Sequence, residues 1–240
     1  MGSVHIDVPK CIASSTINKD DYIKYKRKFV KNEYFFKNLL NKLDINHINK
    51  IPSIINNAQS PVIYLGQGCV KDFDLLRKFA IKGNIPVVST IHGCGIFDES
   101  HSLSLQWCGM HGNATANYIL QEADCIIALG SRFDDRTTGL VEKYAPKCYE
   151  AYKNGNGGII HVNIEKNEIQ KVVKSHYNFN MSCKKWLESI TPYIDFKKRI
   201  KWHRFIKESK QIHSFTYNEK PNTLFMENVL TKLYEKTKHL

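Results

Sequence analysis

The sequence is poor in features that settle a function at sight. No stretch approaches the roughly 20 apolar residues that a membrane helix needs, and mean hydropathy is −0.39. A membrane-spanning chain is therefore not expected. With 42% hydrophobic residues it is equally far from a disordered or fibrous chain. The N-terminus has no basic segment followed by an apolar core, nor the Arg- and Ser-rich pattern of a transit peptide. Seven cysteines form no CxxC pair, so a zinc cluster is not supported and a disulfide framework is not expected at this length. A reducing compartment fits them better. GxSxG, HExxH and Walker loops are missing, as is a GDG segment with a downstream Asn pair that would chelate a diphosphate-bound magnesium. No metal site and no catalytic constellation stands out.

The formal net charge of +12 invites a nucleic-acid reading, but its distribution argues against one. Between Gln59 and Asn178 there are 12 Lys and Arg against 12 Asp and Glu, so the excess lies in the flanks, Lys19–Lys50 and Lys184–Lys238. A binding face concentrates charge beside its reading elements. Lysine-rich flanks read as solvated surface, and neither nucleic acid nor membrane is expected as a partner.

What is present is one theme repeated through the middle of the 240 residues. Pro61–Leu65 is an apolar run stopped by Gly66-Gln67-Gly68. A helix is expected over Val70–Lys82, with Val70, Phe73, Leu76, Phe79 and Ala80 on its apolar face, ended by Gly83-Asn84. Ile85–Thr90 is a second run. Asn113–Glu122 reads as a helix, Cys125–Leu129 as a third run ending in Gly130, and Ile159–Ile164 as a fourth, with a helix from about Lys166 to Lys174. Strands apolar throughout, alternating with helices, indicate a parallel sheet covered on both faces. The fold class is thus α/β: a Rossmann-like parallel sheet with helices on both faces and partial flanking segments. Such sheets bind small molecules at the carboxyl ends of their strands.

Those ends hold the candidate chemistry. A GxG after a strand serves either a plain turn or the close approach of a phosphate to backbone N–H groups; here the third glycine of the dinucleotide fingerprint is missing. Thr90-Ile91-His92-Gly93, Gly130-Ser131-Arg132 and Asn163-Ile164 end the other three strands. Arg132-Phe133-Asp134-Asp135-Arg136 reads as a self-neutralising surface loop, or as guanidinium groups offered to an anion and oriented by the aspartates. In Gly109-Met110-His111-Gly112 two glycines allow close approach of a ligand, with Met110 against a flat ring and His111 as donor. The same residues also suit a plain loop with a core methionine. From the residues alone the reading stops at a domain that binds a nucleotide cofactor or another anion.

Cys108-Gly-Met-His-Gly-Asn-Ala-Thr-Ala-Asn117 and Ala-Leu-Gly-Ser-Arg-Phe-Asp-Asp-Arg-Thr-Thr-Gly139 resemble the central domain of the acetohydroxyacid (acetolactate) synthase family of thiamine-diphosphate enzymes. Pro61–Gly68 and Gly157–His161 fit the same domain in the same order. The resemblance implies five segments: 1–15, a remnant of a pyrimidine-binding domain (Gly2–Lys10 resembling its last strand); 16–57, a partly helical linker; 58–180, the central FAD-binding domain; 181–220, a linker; and 221–240, the start of a diphosphate-binding domain. It implies decarboxylating condensation of pyruvate with pyruvate or 2-ketobutyrate in branched-chain amino-acid synthesis, by an enzyme using thiamine diphosphate, Mg²⁺ and FAD. The FAD takes no part in net redox chemistry. The activating glutamate and the magnesium motif would lie outside this sequence, so the chain alone is expected to be inactive. A homodimer, with a possible regulatory subunit, is implied for the longer enzyme. So is a plastid or mitochondrion for a eukaryote and cytoplasm for a bacterium. The alternatives are another thiamine-diphosphate carboligase or oxidase, and a non-catalytic FAD- or nucleotide-binding module.

By the same resemblance Gly66 and Gly68 would lie against the FAD phosphates, and Thr90 and Ile91 would line the flavin. Gly109, Met110 and His111 would contact it and wall the entrance. Gly130, Ser131, Arg132 and Asp134 would hold the ribityl-diphosphate region, with Asn163 and Ile164 towards the adenosine. Arg136, supported by Asp135 and with Met110 beside it, would meet the carboxylate of the second 2-ketoacid. Two positions depart from the family. Asn163 replaces an Asp or Glu that accepts from the ribose, and a neutral acceptor is weaker. The Gly-Asp pair expected near 180 is Phe-Asn-Met-Ser182 instead.

Overall fold

The computed structural model describes residues 7–8, 13–16, 18–20, 45–214 and 224–238. The chain divides into two compact units, Met1–Leu43 and Asp44–Leu240. Of the first, the described part is small; within it the Asp20 N–H donates to Asn18 Oδ1 at 3.2 Å. The strand expected over Gly2–Val8 lies outside the described residues except for Asp7 and Val8. The same holds for 17 and 21–44 of the expected linker 16–57, for 215–220 of the expected linker 181–220, and for 221–223 and 239–240 of the expected third-domain start.

The second unit is built on six parallel strands: β1 (Pro61–Leu65), β2 (Val87–Ser89), β3 (Ser104–Trp107), β4 (Cys125–Leu129), β5 (Gly158–Val162) and β6 (Tyr177–Phe179). Their order is β3-β2-β1-β4-β5-β6. The α/β class is therefore as the sequence reads. Every residue of β1, β4 and β5 is buried, which is why those runs lack polar alternation. Alternate side chains feed two separate cores. Ile63, Leu65, Ile127, Leu129, Ile160 and Val162 face one side with Phe79 and Trp186. Val62, Tyr64, Ile126, Ala128 and Ile159 face the other with Ile119, Tyr144 and Trp202. Each such aliphatic side chain contributes roughly 1.5–3 kcal/mol by leaving water.

The described residues of the second unit form eight helices: α1 (Ile51–Asn57), α2 (Phe73–Gly83), α3 (Ala114–Glu122), the single turn α4 (Asp135–Thr138), α5 (Pro146–Lys153), α6 (Cys183–Ile190), α7 (Ile200–Ile212) and α8 (Met226–Thr237). None is long and apolar enough to cross a membrane. α3 starts where Asn113 accepts from the Thr115 N–H at 2.8 Å. α2 ends at Asn84, whose φ of 51° places it in the left-handed region.

Four expectations need correction. The sheet has six strands, not four: β3 and β6 are only 4 and 3 residues long and carry polar residues, so no apolar run marks them. The helix expected from Val70 begins at Phe73, after a 3₁₀ segment Gln67–Asp72. Val70 and Phe73 are exposed, with Phe73 covered instead by the Arg77 guanidinium, 5.2 Å from the ring centre. The helix expected over Lys166–Lys174 is one 3₁₀ turn, Lys166–Glu168, because Gln170 turns left-handed at φ 63°. The span read as a linker, 181–220, carries α6 and α7, whose Trp186, Leu187 and Ile190 belong to the first core and Trp202 and Ile206 to the second. At the far end α8 occupies Met226–Thr237, and Leu224, Val229, Leu230 and Leu233 are exposed.

Candidate functional site

β1 and β4 are neighbours, while the chain runs outward from β1 through β2 and β3 on one side and from β4 through β5 and β6 on the other. Sheets of this order open a crevice at the carboxyl ends of the two strands where the direction reverses. Here that crevice is a cleft of about 820 Å³. It gathers Gly66, Gly68, Thr90, Ile91, Gly109, Met110, His111, Gly130, Ser131, Arg132, Asp134, Arg136 and Asn163 from the loops that follow β1 to β5. Two of the expected site residues are not on its lining: Ile164, 74% exposed, and Asp135.

The floor of the cleft is a crossing of two backbones. The Gly66 N–H donates to Leu129 O at 2.9 Å and the Gly68 N–H to Gly130 O at 3.1 Å. A Cβ on Gly66 would sit 2.2 Å from Gly130 O, and one on Gly130 would meet Gly68 Cα at 2.6 Å. The glycines are thus required by the β1 and β4 loops themselves. Both of their N–H groups are donated within the protein, so Gly66 and Gly68 border the cleft without offering these two amides to an anion.

The β4 loop is held from behind. The Ser131 carbonyl receives Asn163 Nδ2 at 2.9 Å and faces His161 Nε2 at 3.0 Å. A carbonyl only accepts, so Nε2 carries the proton, and burial pushes the His161 pKa down and keeps the ring neutral. Asn163 Oδ1 in turn accepts from the Glu165 N–H at 2.9 Å. Both halves of the Asn163 amide are therefore engaged within the protein, and its Oδ1 keeps one further lone pair. The carboxylates on that side of the cleft belong to Glu165 and Glu168. Asn180, within the stretch that departs from the family, donates to Asn163 O at 3.0 Å and Ile164 O at 2.9 Å, fixing the same turn.

Phe133 is a left-handed non-glycine residue (φ 56°), a conformation that costs energy and persists only where its surroundings hold it. They do: the buried ring lies 5.1 Å from Tyr64, 5.9 Å from Tyr144 and 5.0 Å from His161, centre to centre. This anchor separates Arg132 from Asp134. Asp134 is a helix cap, its Oδ1 accepting from the Thr137 N–H and Oγ1, both at 3.1 Å. Asp135 and Arg136 approach only to 4.0 Å, with side chains 89% and 73% exposed, so the expected support of Arg136 by Asp135 is an open surface contact of little energetic weight. Arg136 Nη1 lies instead 3.9 Å from Met110 Sδ.

Sequence reasoning missed several lining residues. Trp107 ends β3, a strand it did not see, and Cys108 follows it. Glu165 and Glu168 follow β5 in the same way as the other strand ends and were legible by that analogy. Cys108 is no nucleophile: burial pushes its thiol up to about 12. Among the described residues no group of His, Cys, Asp and Glu is arranged to hold a metal ion.

A family model described as thiamine pyrophosphate enzyme, central domain, matches residues 48–190. The mitochondrial acetolactate synthase catalytic subunit of Saccharomyces cerevisiae is 39% identical over 179 residues, 72% of this chain and 26% of that protein. The large subunit of acetolactate synthase isozyme 1 of Escherichia coli is 35% identical over 161 residues, 67% of this chain and 27% of that protein. The acetolactate synthase large subunit of Buchnera aphidicola (subsp. Schizaphis graminum) is 33% identical over 243 residues, 99% of this chain and 40% of that protein. The chain spans about a quarter to two fifths of the length of these curated relatives.

Proposed function

The chain belongs to the thiamine pyrophosphate enzyme family, in which it is a central domain, and from that premise we propose that it is the FAD-carrying middle of an acetolactate synthase catalytic subunit. One observation carries the reading: residues scattered through the sequence from Gly66 to Asn163 meet on one cleft at the switch point of the sheet.

The residues present fit a flavin dinucleotide. The cleft volume, about 820 Å³, lies in the upper part of the range for cofactor sites. Ser131 Oγ, on a lining residue, is a buried hydroxyl with no partner among the described residues, and such an atom calls for a polar ligand group. The lining is zoned. Glu165 and Glu168 on the β5 side suit sugar hydroxyls, Arg132 suits the diphosphate, and Ile91, Met110 and His111 suit a flat ring. Ile91, Met110 and His111 would hold the ring of a bound flavin, which would supply a flat aromatic surface without net redox change. Arg136 binds and orients the carboxylate of the second 2-ketoacid; a charge-assisted contact of this kind is worth about 1.5–3 kcal/mol. The whole reaction, condensation of two 2-ketoacids with loss of CO₂, further needs thiamine diphosphate, Mg²⁺ and a thiamine-activating glutamate, for which this sequence shows no motif.

Two measurements test the reading. Titration of the chain into FAD is expected to quench flavin fluorescence saturably. An assay for acetolactate with pyruvate, thiamine diphosphate, Mg²⁺ and FAD is expected to show no turnover. Unquenched flavin sinks the cofactor assignment, and turnover by these 240 residues sinks the assignment as a middle piece.

A further inference from the structure

The loop carrying Met110 and His111 follows β3, and the loop carrying Arg136 follows β4; β2 and β1 lie between those strands in the sheet. The two loops nevertheless meet at one joint. The Met110 N–H donates to the Arg136 carbonyl at 2.9 Å. Gly109, at φ 108°, makes the approach possible, since a Cβ there would stand 3.0 Å from Arg136 O.

Behind the joint stands Asn117, a half-buried residue of α3. It grips Gly109 from both sides: its Oδ1 accepts from the Gly109 N–H at 2.8 Å and its Nδ2 donates to Gly109 O at 3.0 Å. The amide matches this backbone because it presents one acceptor and one donor side by side. α3 is a firm base, with Ala116, Ile119 and Leu120 in the second core.

We propose that Asn117 is a positioning residue that couples the two loops, so that Met110 and Arg136 are set as one unit at the mouth of the cleft. The joint stands on its own geometry; only the identity of what the unit meets rests on the proposed function.

Hydrogen–deuterium exchange by mass spectrometry on the 240-residue chain tests it, with wild type, Asn117→Ala and Asn117→Asp. Aspartate keeps the size but sets a second acceptor against the Gly109 carbonyl, so it separates loss of the donor from loss of packing. Both variants are expected to speed exchange about tenfold in peptides covering 108–112 and also in those covering 134–139, with β1 and β5 unchanged. If Asn117→Ala does not fold, Asn117→Asp gives the same reading. Wild-type exchange over 134–139 in the folded variants, whatever happens at 108–112, overturns the coupling. So does wild-type protection throughout in Asn117→Asp. Flavin titration adds a separate arm. Where wild type quenches FAD, the variants are expected to raise its Kd about tenfold, and an unchanged Kd overturns the positioning role. A wild-type chain that leaves FAD unquenched refutes the cofactor assignment while the exchange data still decide the joint.

Discussion

Arg136 shows how a motif residue is read at the scale of one side chain. Its guanidinium is exposed and holds only a 4.0 Å contact to Asp135, so the fold does not depend on its charge. In a complete acetolactate synthase carrying this domain, Arg136→Ala is expected to raise the KM for the second 2-ketoacid by about 10- to 100-fold, the range that 1.5–3 kcal/mol implies. The Tm should stay within about a degree, because an exposed side chain carries little stability. Steady-state kinetics and a thermal melt together check this, and a large fall in Tm would move Arg136 from the site to the scaffold. His176 is the reverse case, a histidine whose work is structural. Its Nδ1 accepts from the Ile159 N–H at 2.8 Å and its ring stacks on Tyr152, 4.1 Å between centres. Burial lowers its pKa from 6.5 to about 4. The unfolded chain therefore binds a proton as pH falls through 6.5 while the folded chain does not until about 4, so native stability is full above that window and declines across it. His161 and His203 are shifted in the same direction, also by burial. Melts at a series of pH values are expected to show Tm falling below pH 6.5, with a shallower fall in His176→Gln; an identical slope in the variant would clear His176 of the effect.

At the scale of elements, one side chain joins three carbonyls. Arg199, itself left-handed at φ 38°, donates at 2.8 Å to Ile55 O and Ala58 O at the end of α1 and to Gly83 O at the end of α2. These are the ends where helix carbonyls lack partners and where a cation is favoured. Arg199→Ala is expected to cost about 3 kcal/mol, since bonds to a charged donor are the stronger kind and water replaces only part of them. That lowers Tm by roughly 6–12 °C in a domain of this size. Arg199→Lys should recover only a fraction, lacking the planar fork; full recovery would show that charge alone matters. No sequence pattern announces this residue, because its acceptors lie more than a hundred positions away. The same holds for β3 and β6, whose short polar strands are specified by a neighbour's open edge and not by their own composition.

Across the whole molecule, the alternation of apolar runs and helices was enough to read a parallel α/β sheet, because strands buried on both faces carry few polar side chains, such as His161, whose Nε2 the Ser131 carbonyl satisfies. Its extent was not legible. Trp186, Leu187 and Ile190 of α6 pack into the first core, and Trp202 of α7 donates its indole N–H to Pro61 O at 3.0 Å, yet both helices sit in a lysine-rich stretch that reads as a linker. A chain ending at Met181 is expected to lose cooperative unfolding, because the face of the sheet that α6 covers would be open to water. A sharp melt at the unshortened chain's Tm would show α6 to be dispensable.

The sequence by itself determined the fold class, the loops that line the cleft and the family, since burial period, strand-end glycines and the Cys108–Asn117 and Ala128–Gly139 stretches are local properties of the chain. Only the tertiary structure decided what each group does there. That Gly66 and Gly68 spend their amides on Leu129 and Gly130, and that Asn163 is locked to Ser131, are facts of distance between residues far apart in sequence; that Asn117 grips Gly109 depends on how α3 folds back against the loop after β3. Hydrogen-bond partners are assigned by space, and no spacing rule along a chain contains them.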